Sequence, residues 1–191
     1  MESGYGGKIM KTVSFADLDL PDFITKAVSE LGFEEPTPIQ SLAIPLLRDK
    51  KDVIGQAHTG TGKTAAYGIP IIESVDTAAR KPQALVLCPT RELAIQVEES
   101  VRTYGKHLPV TSLAVFGGVG INPQIAALRR GVDILVATPG RLLDHVQQRT
   151  VDLSGIEIFV LDEADRMLDM GFIRDIRKII ALLPKARQNL L

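Results

Sequence analysis

"QAHTGTGKT", residues 56–64, follows the short apolar pair Val53 and Ile54 and opens the helix-like run "AAYGIPIIES" at 65–74. Gly60 and Gly62 let backbone N–H groups approach a phosphate, Lys63 can reach its outer oxygens, and the Thr64 hydroxyl can face a magnesium ion. Such a cradle belongs between a strand and a helix. The strict pattern opens with Gly, where this chain has Ala57. His58 contributes backbone rather than imidazole in this reading. The competing reading of the same residues is a plain glycine turn with a helix cap.

The surrounding pattern decides between them. Short runs rich in Val, Ile and Leu recur at 52–57, 84–89, 112–117, 133–138 and 156–162. They are too short for helices and are predicted as strands buried on both faces. Helical spacing fills most of the intervals: "PDFITKAVSELG" (21–32, with Gly32 as its stop), "TPIQSLAIPLLRD" (37–49), and 92–108, where Leu93, Ala94, Val97, Val101, Tyr104 and Leu108 share a stripe. A last helix, "FIRDIRKIIALLP" (172–184), leads into "RQNLL", the start of a further strand. Strands alternating with helices predict parallel pairing in a doubly wound α/β sheet with helices on both faces. An end inside a strand is expected of a piece of a longer protein.

"FVLDEAD" (159–165) supplies the complement of the cradle. Asp162 follows the apolar run 158–161, at the carboxyl end of a buried strand, where open α/β sheets bind ligands. A carboxylate there can hold magnesium through its water shell, and Glu163 beside it can orient and deprotonate a water. Read structurally, Asp165 is a helix cap and the other acids are surface charges.

Three further stretches, "PTPIQ" (36–40), "PTRELA" (89–94) and "TPGR" (138–141), read as helix starts. Thr37 with Gln40 matches a capping box, with Pro38 at the first helical position, and Thr90 and Thr138 are predicted caps. The latter two stretches follow strands and carry Arg91 and Arg141, and helix N-termini with arginine make phosphate sites. Together with "FGG" (116–118), whose glycines admit a passing backbone, they suggest a second, longer phosphate-bearing ligand.

Composition sets the outer bounds. A chain of 191 residues with 45% hydrophobic and 24% charged residues suits one globular domain, and the net charge of −1 confines any nucleic-acid contact to a local patch. The single cysteine, Cys88, lies in an apolar run and is expected in the core, so no disulfide forms within one chain and a cytoplasmic setting is expected. No apolar run reaches membrane-spanning length, and no membrane role is expected. Residues 1–11 are expected to be a disordered lead or a cloning remnant, with the domain spanning 12–191. His107 and His145 have no partners at metal-ligand spacing and are expected as solvated helix positions.

The motifs "GFEEPTPIQ", "AHTGTGKT", "PTRELA", "GG", "TPGR" and "DEAD" stand in the order and approximate spacing of the N-terminal core domain of DEAD-box RNA helicases, and the chain resembles that family, in its bacterial-type members, from about residue 15 to its end. The resemblance implies a RecA-like P-loop NTPase domain and an ATP-dependent RNA helicase in the full-length protein. It implies ATP binding by Phe15, Gln40, Ala57, His58, Thr59, Gly60, Thr61, Gly62, Lys63 and Thr64, with Phe15 stacking on adenine and Gln40 reading its edge. Catalysis would fall to Glu163 as general base, with Asp162 and Lys63. Magnesium would sit at Thr64 and Asp162, largely through water. RNA would be held by its sugar-phosphate backbone, independent of sequence, along Pro89, Thr90, Arg91, Gly117, Gly118, Thr138, Pro139, Gly140 and Arg141.

The resemblance further implies that the family's Ser-Ala-Thr motif and second RecA-like core domain, which carries arginine fingers, lie beyond this chain. A monomeric domain nearly inactive by itself is then expected. A small-molecule P-loop kinase would need a lid with arginines and an acceptor pocket, and neither is visible. A binding module without turnover is the other competing function, against which intact Lys63, Asp162 and Glu163 argue.

Overall fold

The computed structural model describes residues 14–57 and 60–191, so the expected lead at 1–11 lies outside the described residues, as do His58 and Thr59. Strand β1 (Ala84–Leu87) is buried along its whole length, as a strand covered on both faces must be. It sits in a five-stranded sheet of order β2-β3-β1-β4-β5, formed with β2 (Ser112–Val115), β3 (Ile134–Ala137), β4 (Ile158–Leu161) and β5 (Gln188–Leu190). All four pairings are parallel. Because Leu87 is level with both Ala137 and Leu161, and Val115 with Ala137, the loops after β1 to β4 leave from one edge.

Alternation along the strands fills two cores. Ala84, Val86 and Cys88 point to one, with α1 (Asp22–Glu30), α2 (Pro38–Arg48), α3 (Lys63–Ser74) and α4 (Arg91–Tyr104) over them. Leu85 and Leu87 point to the other, covered by α6 (Pro139–Gln147), α7 (Ala164–Asp169) and α8 (Ile173–Leu182), while α5 (Asn122–Arg129) flanks β2. The expected doubly wound architecture and the burial of Cys88 are both observed. Ile69, Ile71, Ile72, Leu85, Leu87 and Leu135 are fully buried. Burying side chains of that size contributes roughly 1.5–3 kcal/mol each.

Two boundaries differ from the sequence pattern. The stripe to Leu108 does not stay helical: α4 stops at Tyr104, since Gly105 is a poor helix former and packs near Ile72 of α3. The run at 52–57 is not a central strand. It lies at the sheet margin with a single bridge, Val53 to Leu190, and hydrogen bonds from Val53 N–H to Asn189 O at 3.1 Å and Gly55 N–H to Leu191 O at 2.7 Å. Paired on one side only, it leaves Ile54 85% exposed.

Candidate functional site

The motifs gather on the edge where the strands end. In the order of the sheet, that edge carries Gly117 and Gly118 after β2, Thr138 to Arg141 after β3, Pro89 to Arg91 after β1, and Asp162 and Glu163 after β4. The 53–57 run and the P-loop stand past β5, beside the acids. Connections leave β1 toward β2 and β4 toward β5, so the topology reverses between β1 and β4, where α/β sheets bind ligands.

On the β4 side, Gly60 and Gly62 have φ of +84° and +86°, and Lys63 begins α3. Gly62 is required twice over. Its backbone is left-handed, and a Cβ there would collide with the Gln40 amide and come within 3.2 Å of Thr37 Oγ1. Gln40 is itself 3% exposed. Its Oε1 accepts the Thr37 N–H at 3.0 Å and its Nε2 donates to Gly62 O at 3.2 Å, so one side chain caps α2 and braces the P-loop. Each amide atom keeps one further bonding position. Thr37 and Gln40 form the expected capping box, in which Thr37 Oγ1 faces the Gln40 backbone N–H but makes no well-aligned hydrogen bond among the described residues.

Asp162, 9% exposed, accepts a hydrogen bond from the Tyr67 hydroxyl at 2.9 Å, and the Thr64 side chain bonds Tyr67 as well. Burial, the strongest influence, pushes the Asp162 carboxyl above its ordinary range, while the Tyr67 hydrogen bond and the Lys63 charge pull it back. Burial, reinforced by the Asp162 charge, raises the Tyr67 phenol well above its usual value, so Tyr67 remains a donor. Glu163 caps α7 with φ +53° and ψ +51°, a left-handed conformation unusual for a side chain of its size and typical of functional sites. Its carboxylate pairs with Arg166 at 3.0 Å. Lys63, Asp162, Glu163 and Asp165 share a cavity of about 390 Å³ whose inner wall is apolar, from Ile39, Ala43 and Val160. Among the described residues no three His, Cys, Asp or Glu side chains converge as a metal set. One buried carboxylate beside a hydroxyl suits magnesium, which keeps most of its waters and leans on substrate phosphates.

Phe15 is 6% exposed and stacks on Phe33 at 6.3 Å; the partly open ring of that pair is Phe33, 38% exposed. Sequence reading missed Phe33, although it adjoins Gly32 at the end of a helical pattern.

On the β2–β3–β1 side, Thr90 caps α4 by accepting the Leu93 N–H at 3.3 Å, whereas Thr138 makes no side-chain cap and Pro139 alone starts α6. Arg91 is exposed and its guanidinium lies 5.3 Å over the Phe116 ring. Arg141 is folded in, 10% exposed in its side chain. It donates to Val119 O at 2.9 Å and its Nε lies 3.5 Å from Asp144 Oδ2, an ion pair too poorly aligned for a hydrogen bond; among the described residues Nε and one terminal nitrogen are buried without hydrogen-bond partners. Gly118 has φ +81° beside Arg91.

His145 is not the solvated position expected from the sequence. It is fully buried, bonded to Thr150 and Gln124. Burial, aided by the Arg141 charge, holds its imidazole below the usual range, with Asp144 opposing. Its signal was Leu142, three residues earlier on the same helix face. His107, in the turn after α4, is exposed and pairs with Glu30 at 3.1 Å.

Residues 37–191 match the DEAD/DEAH box helicase family. The chain belongs to that family. It is 49% identical over 180 residues to the DEAD-box ATP-dependent RNA helicase CshA of Bacillus subtilis, and 52% identical over 179 residues to the ATP-dependent RNA helicase CshA of Limosilactobacillus reuteri. Each match covers 94% of this chain and 36% of the relative, so the chain spans about a third of the curated proteins it resembles. Among solved structures, a DEAD box protein from Methanococcus jannaschii superposes with a TM-score of 0.89 at 44% identity, over 93% of this chain and 49% of that one. A hypothetical ATP-dependent RNA helicase from Sulfolobus tokodaii does so with 0.81 at 43%, over 90% and 49%. The RecA-like fold expected for a DEAD-box core domain is therefore the fold of this chain.

Proposed function

We propose that this domain binds ATP with magnesium on the β4 side of the edge and an RNA backbone on the β1–β3 side, and that it is the N-terminal half of an ATP-dependent RNA helicase. Joined to a second RecA-like domain, it would couple ATP hydrolysis to unwinding or remodelling of RNA duplexes. The observation that carries this reading is the adjacency of two phosphate-type clusters on one strand edge, meeting where the topology reverses.

Lys63 and the first turn of α3 receive phosphates through charge and N–H groups. Asp162 and Thr64 would hold the magnesium through water, with Tyr67 fixing the carboxylate that faces it. The bound ion supplies neutralisation of phosphate charge. Glu163, held at its angle by the left-handed turn, accepts the proton of the attacking water at a carboxylate oxygen. Gln40 has one donor and one acceptor position left for the adenine edge, and the Phe15–Phe33 pair offers an aromatic platform beside α2. Thr90, Arg91, Gly117, Gly118, Thr138, Gly140 and Arg141, backed by the buried Pro89 and Pro139, line the edge proposed for RNA. The helix N-termini and Arg91 offer it contacts to phosphates, which carry no base information, so binding is sequence-independent. A cytoplasmic, monomeric domain belongs to the same reading, and the one cysteine, buried and free, suits the reducing setting.

Titrating ATP and GTP against the wild-type chain and Gln40→Glu tests the nucleotide half. Weaker ATP binding with GTP little changed supports adenine reading; equal loss for both counts against it. ATPase assays with and without RNA test the rest. The chain alone should turn over slowly, because arginine fingers from a second domain are worth roughly 10³–10⁵ in rate; brisk RNA-stimulated turnover by the chain alone would refute that division of labour.

A further inference from the structure

A line of polar groups, buried at its centre and part-buried at its ends, leads away from the loop that follows β2. The Phe116 carbonyl accepts a hydrogen bond from Gln124 Nε2 at 3.1 Å. Gln124 Oε1 faces His145 Nε2 at 3.1 Å, and His145 Nδ1 faces Thr150 Oγ1 at 2.8 Å. Gln124, in the first turn of α5, is 7% exposed, and His145, in the last turn of α6, is 0% exposed. The proton pattern follows from the partners. The Gln124 amine is committed to a carbonyl, so its oxygen must accept and His145 Nε2 must carry the hydrogen. In the neutral ring Nδ1 then accepts from the Thr150 hydroxyl. Protonating the ring would not break the line, because the hydroxyl can turn to His145 O, 3.1 Å away.

What this line holds is the residue before Gly117 and Gly118. The loop has three attachments: the Phe116 carbonyl on Gln124, the Phe116 ring under Arg91, and the Val119 carbonyl on Arg141. Two of them are arginines that the RNA reading also assigns to phosphates. The third is buried and faces no ligand. A part-buried carbonyl that loses its donor costs free energy and draws the backbone toward water. Loss of the Gln124 amide would therefore move the stretch that must admit an RNA backbone, with the nucleotide cavity untouched.

We propose that Gln124 and His145 are positioning residues for RNA binding, holding the 116–120 loop in the shape that accepts the backbone while touching none of it. This rests on the RNA reading above. A merely structural network would lower stability and leave the affinities of the folded protein alone; a positioning role separates RNA affinity from nucleotide affinity.

The test is a titration of a labelled single-stranded RNA oligonucleotide at low salt against the whole chain, unsubstituted and as Gln124→Met, His145→Leu and His145→Gln, with a labelled adenine nucleotide titrated in parallel and amide exchange followed at 117–120. Gln124→Met and His145→Leu are each expected to weaken RNA binding about tenfold and to speed exchange in the loop, with nucleotide affinity unchanged. His145→Gln, whose amide restores a donor toward Gln124, is expected to recover most of the RNA affinity. Should His145→Leu not fold, Gln124→Met decides the matter, since it keeps the length of the side chain it replaces. RNA affinity unchanged in Gln124→Met, or RNA and nucleotide affinity falling together, would overturn the positioning role. Absence of RNA binding by the unsubstituted chain would overturn the RNA reading, and this proposal with it.

Discussion

The two halves of the sheet's carboxyl edge are built on different plans. On the β2–β3–β1 side, the loops are fastened to the protein: Gln124 holds the Phe116 carbonyl and meets His145, Arg141 holds the Val119 carbonyl while keeping Nε and one terminal nitrogen without hydrogen-bond partners, and Arg91 lies over the Phe116 ring. On the β4 side, groups are held under burial and backbone strain. The Asp162 carboxylate is raised by burial, Gly60, Gly62 and Glu163 have left-handed backbones, and the 52–57 run is paired along one side only. A half that holds a carboxylate and a phosphate loop in this way is relieved by a charged ligand. A half whose loops are fastened to the protein presents a surface already shaped. The first should be tightened by nucleotide, and the second should change little when RNA arrives.

The comparison can be broken most forcefully at Glu163. In the chain joined to its second domain, Glu163→Gln is expected to slow single-turnover ATP hydrolysis by roughly 10²–10⁴, the usual worth of a general base, with nucleotide and RNA affinities retained. Rates within a fewfold of the parent would remove Glu163 from the proton transfer.

Gly62→Ala comes next. It forces a side chain into a left-handed residue and against the Gln40 amide, at a cost of about 1–3 kcal/mol. Nucleotide affinity should fall by roughly ten- to a hundredfold and RNA affinity should hold, if the halves are built separately. Titrating both ligands against the purified variant reads the split directly.

A smaller effect is expected for Tyr67→Phe, which deletes the donor to Asp162 Oδ2. The loss of one buried bond to a carboxylate should lower stability by about 1–3 kcal/mol and shift the magnesium concentration needed for nucleotide binding. Thermal melts together with magnesium titrations would show it, and an unchanged magnesium dependence would reduce Tyr67 to packing.

The smallest effect distinguishes the halves by pH. His145 has a lowered value in the folded protein, so the unfolded chain binds its proton more readily. The stability it contributes is present above about pH 6.5, the ordinary histidine value, and is lost as pH falls below that. Asp162 works in the other direction: its raised value means a contribution present at acid pH and lost as pH rises through that value. Denaturant melts between pH 4 and 7 should therefore lose less on the acid side in His145→Gln than in the parent.

Much of this site was legible in advance because its chemistry is local. Gly60, Gly62, Lys63 and Thr64 must stand together for a loop to wrap phosphates at a helix start, and Asp162 must follow an apolar strand. Short windows of residues therefore decide the P-loop, the acid pair, the helix starts and the parallel α/β class. Partnerships across the fold were not legible. Gln40 braces Gly62 from another helix, Phe15 spends its ring on Phe33, His145 meets Gln124 across two helices, and Val53 pairs with Leu190 at the far end of the chain. Each depends on which strands lie side by side. That order arises from burying both faces of the sheet at once, a condition on the whole chain that no short stretch carries. The sequence alone determined which groups can do chemistry; the tertiary structure decided which of them are already occupied, because a hydrogen bond or a buried ring belongs to a pair of distant residues rather than to either one.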